Sequence, residues 1–387
     1  MHLVERYSLS CGVKIKKPFI LEQFFPLSVD NYITIHPYTK PAKTYDYWQE
    51  VVDIIRPILS AKGISIVQIG AKDEQPLRGC YTTQGQTTLN SMAYVIKNSL
   101  LHLGVDSCSA HFAGHYDKKM VALYSSSYVD TCKPYWGNPQ NQRLIQADLM
   151  GKKPSFSFSE SPKTINRIKP NEIAKHVCEL LGLEYNFNLK YIRLGEAYNE
   201  VSLDFVPDAL ISQYSVNVGG IKIRMDYKYD ENFLVENLKL KEASIVTNRE
   251  INPSILSAFK TKIKQIVYIL EKDNNPDFVK NTARNGIPTL LTSYLSQKEI
   301  NSFKINYMDC GIIAPQNPAR KEHYDFSSTP NLFYKSNRFI LSAGKVFPSK
   351  AAFENGLASN FYGPTISPVI DTPSFWEEVK YFCILSK

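Results

Sequence analysis

Four short stretches place titratable or hydroxyl side chains where the chain turns out of an apolar run or leads into a helix. In LGVDSCSAH (103–111), Asp106 and Ser107 end such a run, and His111 lies one helical turn further on, with His115 after it. Ser107 is of the type that caps a helix, whose first-turn N–H groups and dipole take up phosphate oxygens. Asp106 would repel a phosphate but can accept hydrogen bonds from sugar hydroxyls, and His111 is within reach of the same ligand. In HPYTKPAKT (36–44), Lys40 and Lys43 stand with Tyr38, Thr39 and Thr44, a set able to neutralise and hydrogen-bond a diphosphate. In GAKDEQ (70–75), Asp73 and Glu74 can accept from ribose hydroxyls, and TQGQTT (83–88) adds Thr87 and Thr88. A solvated basic loop, surface acids at a turn and a plain Asp-Ser helix start with two surface histidines answer the same descriptions.

These stretches are ordered by the elements around them. NYITIHP reads as a strand, TYDYWQEVVDIIRPILSAKG as a helix closed by Gly63, and ISIVQIG as a buried strand rich in β-branched residues. The alternation continues through TTLNSMAYVIKNS (helix), LLHLGV (strand), SCSAHFAGHYDK (helix), KMVALYSS (strand) and KPNEIAKHVCELLG (helix). Such a series predicts a parallel sheet covered by helices on both faces. In an open parallel sheet, ligands bind outside the carboxyl ends of the strands, which is where the candidate loops fall.

At 387 residues the chain exceeds the size of one core, and two domains are expected, residues 1–184 and 185–387. The second half reads as α/β as well, with strands in LKYIRL, GIKIRMDY, ASIVTN, KQIVYILE and IPTLLTSY and helices in NPSILSAFKTKIK and NPDFVKNTARNG. Its aromatic tail, from Asn331 to Gly363, has no clear assignment. The net charge of +8 is spread over both halves, so it suits an anionic ligand without naming one. Seven scattered cysteines without a Cys-x-x-Cys pair point to a reduced, cytoplasmic setting, and no apolar run approaches the roughly 20 residues that span a bilayer. Cysteine and histidine lack metal-site spacing, and neither a Gly-x-Gly-x-x-Gly nor a Walker-type motif stands at a strand-to-helix turn.

In their order and spacing, the strand ending HP, AKTYDYW, IGAKDE, TTL, LGVDSCSAH and VALYSS make residues from about 32 to 182 resemble the nucleotide-sugar-binding domain of glycosyltransferase family 9, the heptosyltransferase-like enzymes. The family's strand-end motif, Asp-Ser/Thr-Gly-x-x-His, is matched by Asp106, Ser107 and His111, with Cys108 in place of the glycine. The resemblance implies a GT-B fold of two Rossmann-like domains with parallel sheets facing a cleft. It implies that Lys43 meets the donor diphosphate, Asp73 or Glu74 the ribose, Thr87 and Thr88 the nucleoside wall, and Asp106 with His111 the sugar-phosphate end. The nucleotide sugar is then a substrate, with no resident cofactor or metal.

Members of the family carry the acceptor domain first. Here the donor-like domain is preceded only by ERYSLSCGVKIKKPFILEQFFPL, which resembles an interdomain segment, so a permuted order is expected. KYIRLGEAYNEVSLDFVPDAL is similar to the family's opening strand and acidic loop, with Glu196 at the acid position and Glu200, Asp204 and Asp208 as rivals. Inverting displacement of a nucleoside diphosphate needs such a base, and the absence of Asp-x-Asp agrees with the metal-independent chemistry of the family. The expected activity is sugar transfer to a saccharide hydroxyl, as on a lipopolysaccharide or other surface glycan, in the cytoplasm or peripheral to a membrane. A hydroxymethylated DNA base is a second acceptor class, and a non-catalytic nucleotide-sugar-binding module is the alternative without chemistry.

Overall fold

A computed structural model describes the chain except residues 200, 214–219, 273, 309, 325, 327–330, 360–364 and 387. It divides into two compact units, Met1–Tyr191 and Ile192–Lys387.

The first unit begins with a short helix, α1 (Leu3–Cys11), and an extended strap. Then come β1 (Tyr32–His36), α2 (Trp48–Ser60), β2 (Ser65–Gln68), β3 (Tyr81–Thr82), α3 (Leu89–Asn98), β4 (His102–Val105), α4 (Cys108–His115), β5 (Met120–Tyr124), α5 (Val129–Cys132), β6 (Gln142–Gln146) and α6 (Pro170–Leu181). The six strands are parallel, in the order β3-β2-β1-β4-β5-β6. That is the order of a dinucleotide-binding sheet, in which the chain winds outward in both directions from β1 and leaves a crevice between β1 and β4.

Alternation along β1 explains its two faces. Ile33 and Ile35 are fully buried, each contributing about 1.5–3 kcal/mol of apolar burial. Tyr32 lies with Met92, Val95 and Ile96 of α3 and Ala110 and Ala113 of α4 in the core on the opposite side of the strand. Helix α2 packs with α6 and α3 with α4. The sequence pattern misses β3 and β6: the first has only two exposed residues, and β6 is largely half-buried at the sheet edge, so neither shows the apolar run of a central strand.

The second unit continues with β7 (Lys190–Leu194), which spans the division, then β8 (Ser202–Phe205), β9 (Ile221–Arg224), α7 (Glu231–Leu240), β10 (Ala243–Thr247), α8 (Pro253–Phe259), β11 (Ile263–Ile269), α9 (Asp277–Arg284), β12 (Thr289–Ser293), α10 (Gln297–Phe303) and β13 (Ile313–Pro315). The tail supplies β14 (Leu332–Ser336), β15 (Arg338–Ser342), β16 (Lys345–Phe347), α11 (Lys350–Glu354), β17 (Ser367–Pro368), α12 (Pro373–Trp376) and β18 (Phe382–Ser386). Eight strands form one sheet in the order β13-β12-β11-β10-β9-β8-β15-β16, parallel except for the β15–β16 hairpin. The protein is thus α/β with two largely parallel sheets.

One expectation is corrected. KYIRL does not open the second parallel sheet; β7 joins a separate four-stranded sheet of order β17-β14-β18-β7 built mostly from the tail. The parallel sheet opens instead at β8. The physical reason lies at Gly195, where a Cβ would stand 2.3 Å from the Lys380 carbonyl oxygen. The chain is zipped there to the tail by Gly195 N–H donating to Phe382 O (2.8 Å) and Ala197 N–H to Lys380 O (2.9 Å).

Candidate functional site

The central feature of the first unit joins the loops after three adjacent strands, β1, β4 and β5. Lys43 ends a single 3-10 turn, Pro41–Lys43, whose middle residue Ala42 is fully buried and anchored at both ends of its peptide group. Ala42 N–H donates to Phe158 O (3.0 Å), and its carbonyl accepts from Ser125 Oγ (3.3 Å). This holds Lys43 Nζ 2.5 Å from Oδ2 of Asp106, which also accepts from Ser127 Oγ at 2.8 Å. The carboxylate is 8% exposed and the lysine side chain 24%. A cation, an acid and a hydroxyl therefore meet at the crevice where an open α/β sheet binds ligands. On either side of Lys43, Thr39 and Thr44 close the loop on each other, Thr39 N–H donating to Thr44 Oγ1 and Thr44 Oγ1 donating back to Thr39 O, both at 3.1 Å. Lys40 is exposed beside them.

Ser107 stands at the N-cap of α4 but does not cap it, a correction to its expected role. Its Oγ turns inward, 2.9 Å from Ser109 Oγ, because Ser109 is the outer member of a buried polar network on the α3/α4 face. There Ser109 Oγ lies 2.9 Å from His36 Nδ1 and 3.1 Å from His102 Nε2, while His102 Nδ1 meets Thr34 Oγ1 at 2.9 Å. Thr34 and His36 share one face of β1, so Thr34 meets His102 of β4 while His36 reaches Ser109 of α4, and both enter one network. Burial pushes His36 down to about 4 and His102 to about 3, so both rings are neutral. The first-turn N–H groups of α4 are left without a side-chain cap. Cys108, exposed, is the first residue of that turn.

His111 sits one turn along α4, exposed, with Asp106, His2 and Lys43 in its electrostatic surroundings. Enclosure of the ring lowers its pKa; Asp106 opposes that, and His2 and Lys43 add to it. His115 is half-buried further along the helix.

Of the two acids after β2, the structure distinguishes one. Asp73 is exposed, whereas the Glu74 carboxylate folds over Gly70, where a Cβ would lie 1.8 Å from Glu74 Oε2. That oxygen is buried without a hydrogen-bond partner, and burial raises the carboxyl pKa. Gly70 is required for this approach. Thr88 caps α3, accepting from Ser91 N–H at 3.1 Å and donating to Gln23 at 3.2 Å, so its hydroxyl is committed to the helix end. Thr87 beside it is half-buried.

The acids proposed as rivals in the second unit are largely spoken for. Asp204 is 1% exposed and held between the guanidinium groups of Arg224 and Arg338, which keep its carboxyl below the usual range against the effect of burial. A carboxylate so placed is a poor base, and this overturns Asp204 as a candidate. Asp208 accepts from Ser342 Oγ (2.6 Å) and Ala343 N–H (2.9 Å) and fixes the β15–β16 turn. Glu200 lies outside the described residues. Glu196 is exposed, and no hydrogen bond or ion pair engages its carboxylate among the described residues.

Sequence reasoning missed His36, His102, Ser109 and Ser127. The HP at the end of β1 and the Ser-Ser-Ser run after β5 were visible, but only the packing of α4 on the sheet shows them converging. Among the described residues no group of three His, Cys, Asp or Glu side chains gathers as metal ligands do, and all seven cysteines are free.

None of the curated proteins matches the chain. Among solved structures it is similar to the ADP-heptose lipopolysaccharide heptosyltransferase II of E. coli (18% identity, 46% of this chain and 51% of that one, TM-score 0.32). It is also similar to a family 9 glycosyl transferase from Veillonella parvula (16%, 46% and 50%, TM-score 0.31). A third likeness is to the iron-containing dodecameric glycosyltransferase TibC of enterotoxigenic E. coli (15%, 44% and 50%, TM-score 0.35). The chain spans about half the length of these proteins. The family model described as glycosyltransferase family 9 (heptosyltransferase) matches residues 9–160, taking in the strap before β1 and every donor-side loop described above.

Proposed function

We propose that the protein transfers a sugar from a nucleoside-diphosphate sugar to a saccharide hydroxyl, with inversion and without a metal ion. The observation that carries this reading is the Lys43–Asp106–Ser127 constellation at the β1/β4 crevice of a family 9 segment. In this reading Lys43 and the uncapped N–H groups of α4 stabilise the diphosphate as it leaves, while Asp106 and His111 face the sugar-phosphate end. Glu74, with its unpartnered oxygen, takes the ribose hydroxyls in preference to the exposed Asp73. Thr39, Lys40, Ser107 and Thr87 line the approach; Thr88 contributes through the helix end that it caps. Glu196 is assigned the proton: its carboxylate accepts the acceptor O–H proton, the acceptor oxygen bonds the anomeric carbon, and the bond to the diphosphate breaks on the opposite face.

Release of nucleoside diphosphate from ADP-, UDP- and GDP-sugars, with and without saccharide acceptors and a chelator, tests the reading. Acceptor-dependent release that survives the chelator and gives an inverted product supports it. No release from any donor would make the chain a binding module. Faster release with hydroxymethylated duplex DNA than with saccharides, alongside duplex binding that weakens steeply with salt, would favour the DNA acceptor. Glu196→Gln is expected to lower turnover about 10²–10⁴-fold with donor binding unchanged.

The strap before β1 favours a peripheral membrane location. Phe19, Leu21 and Phe24 are 88%, 62% and 70% exposed and follow Lys14, Lys16 and Lys17, a pairing suited to an anionic lipid surface carrying glycolipid acceptors. No helix among the described residues is long and apolar enough to cross a membrane. Sedimentation with anionic but not zwitterionic vesicles is the expected result.

A further inference from the structure

The loop that follows β6 crosses the carboxyl ends of the first sheet and exposes side chains that a loop ordinarily tucks away. Met150, Phe156 and Phe158 are 65%, 66% and 65% exposed, and Tyr128, whose ring centroid lies 6.1 Å from that of Phe156, is 41% exposed. The loop is nonetheless fixed. Phe156 N–H donates to Ser126 O at 2.9 Å and Phe158 O accepts from Ala42 N–H at 3.0 Å, so this short piece ties the turn after β5 to the turn after β1. Lys152 N–H donates to Leu149 O at 3.0 Å, and Pro154 is buried. Met150 and Phe156 hold φ of 52° and 55°, in the left-handed region that bulky side chains avoid. At Met150 the tight turn with Gly151 accounts for this. At Phe156 a strained backbone carries a ring that lies mostly in solvent, where folding gains little from it; strain of this kind gathers at functional sites.

The surroundings select the partner. Lys152 and Lys153 precede the rings and are exposed, whereas the acids of the loop are occupied: Glu160 accepts from Ser155 Oγ and Thr164 N–H, and Asp148 accepts from Met150 N–H. Glu74 and Thr87 follow β2 and β3, on the far side of β1 from β5, so the rings stand away from the nucleoside end of a donor. At about 150–250 Å² for a whole aromatic residue, the four exposed side chains offer roughly 500 Å², short of the roughly 800 Å² that a stable protein partner covers. A bilayer interface takes up aromatic rings singly and needs no matching surface, and lysines beside them suit anionic headgroups. We propose that the loop from Met150 to Phe158 dips into an anionic lipid surface and sets the mouth of the crevice against the headgroups. This extends the peripheral location proposed above to a second, separate element and does not depend on the transfer.

Co-sedimentation of the full chain with vesicles of phosphatidylcholine, with and without phosphatidylglycerol, tests it. Phe156→Gly combined with Phe158→Ser is expected to lower partition into the anionic vesicles about tenfold or more, and Lys152→Gln combined with Lys153→Gln about fivefold or more. Phe156→Gly alone should keep or raise the unfolding temperature, because glycine suits the backbone there and the ring is mostly exposed. A fall in that temperature would show that the ring serves the fold and would overturn the proposal. Undiminished partition of the ring variant, equal partition into both vesicle types, or sedimentation velocity showing that the rings hold two copies together would overturn it as well. Phe19→Ser combined with Phe24→Ser separates the strap. Binding lost in the loop variants and kept in the strap variant supports the loop and fails the strap, the reverse fails the loop alone, and an unaltered chain that binds no anionic vesicle fails both.

Discussion

Lys43→Met tests whether the ion pair at the crevice is there for the ligand or for the fold. Unit charges 2.5 Å apart attract by about 7 kcal/mol at an effective dielectric constant of about 20, and desolvation of both groups offsets much of this. Removing the cation strands a carboxylate that is 8% exposed, with Ser127 Oγ as its remaining hydrogen-bond partner. The expected cost is about 3 kcal/mol, near the low end for a broken buried pair because Lys43 is 24% exposed. For a unit of this size that is a fall in Tm of about 6–12 °C. Lys43→Met combined with Asp106→Leu removes both charges and should recover most of that loss. Donor binding behaves differently. A nucleotide sugar at about 100 times its Kd stabilises the unaltered protein by about 2.7 kcal/mol, and both variants should lose nearly all of that gain. Calorimetry with and without the donor reads both quantities. A double variant that keeps the full donor-induced shift would refute the assignment of Lys43 and Asp106 to the donor.

Further expectations concern the surrounding residues. His36 and His102 are neutral in the fold and titrate in the unfolded chain near 6.5, so the unfolded chain binds protons first as pH falls. Their stabilising contribution is therefore present above about 6.5 and lost toward about 4, by about 3 kcal/mol for His36; urea unfolding at pH 7 and 5 should show a slope that His36→Gln flattens. Cys108→Gly restores the family glycine in the first turn of α4 and should tighten nucleoside-diphosphate binding in calorimetric titrations, whereas weaker binding would mean that the thiol does not crowd the ligand. Asp204→Asn leaves Arg224 and Arg338 facing each other and should cost about 3–5 kcal/mol in unfolding of the second unit while donor binding is kept.

The first unit was legible in the sequence because its parallel strands are buried on both faces and write continuous apolar runs between amphipathic helices. The order of loops at their carboxyl ends then placed Lys43, the Asp73–Glu74 pair and Asp106 at one end of the sheet. The second unit was less so: its parallel core followed the same rule, but β7 and the tail strands β14, β17 and β18 pair over long separations, and no local pattern says which strand takes KYIRL as its neighbour.

What the sequence determined by itself was the four central strands of the first sheet, the helices between them and the residue types offered at the crevice, since periodicity and strand-end position are local properties of the chain. Only the tertiary structure decided how those residues are used. Lys43 is spent on Asp106, Ser107 turns to a buried histidine network instead of capping α4, Glu74 rather than Asp73 is tucked over a glycine, and Asp204 is locked between two arginines. Each outcome depends on which group lies opposite across a strand or helix. Partners as far apart as 134 residues, as Asp204 and Arg338 are, meet only once the chain has folded.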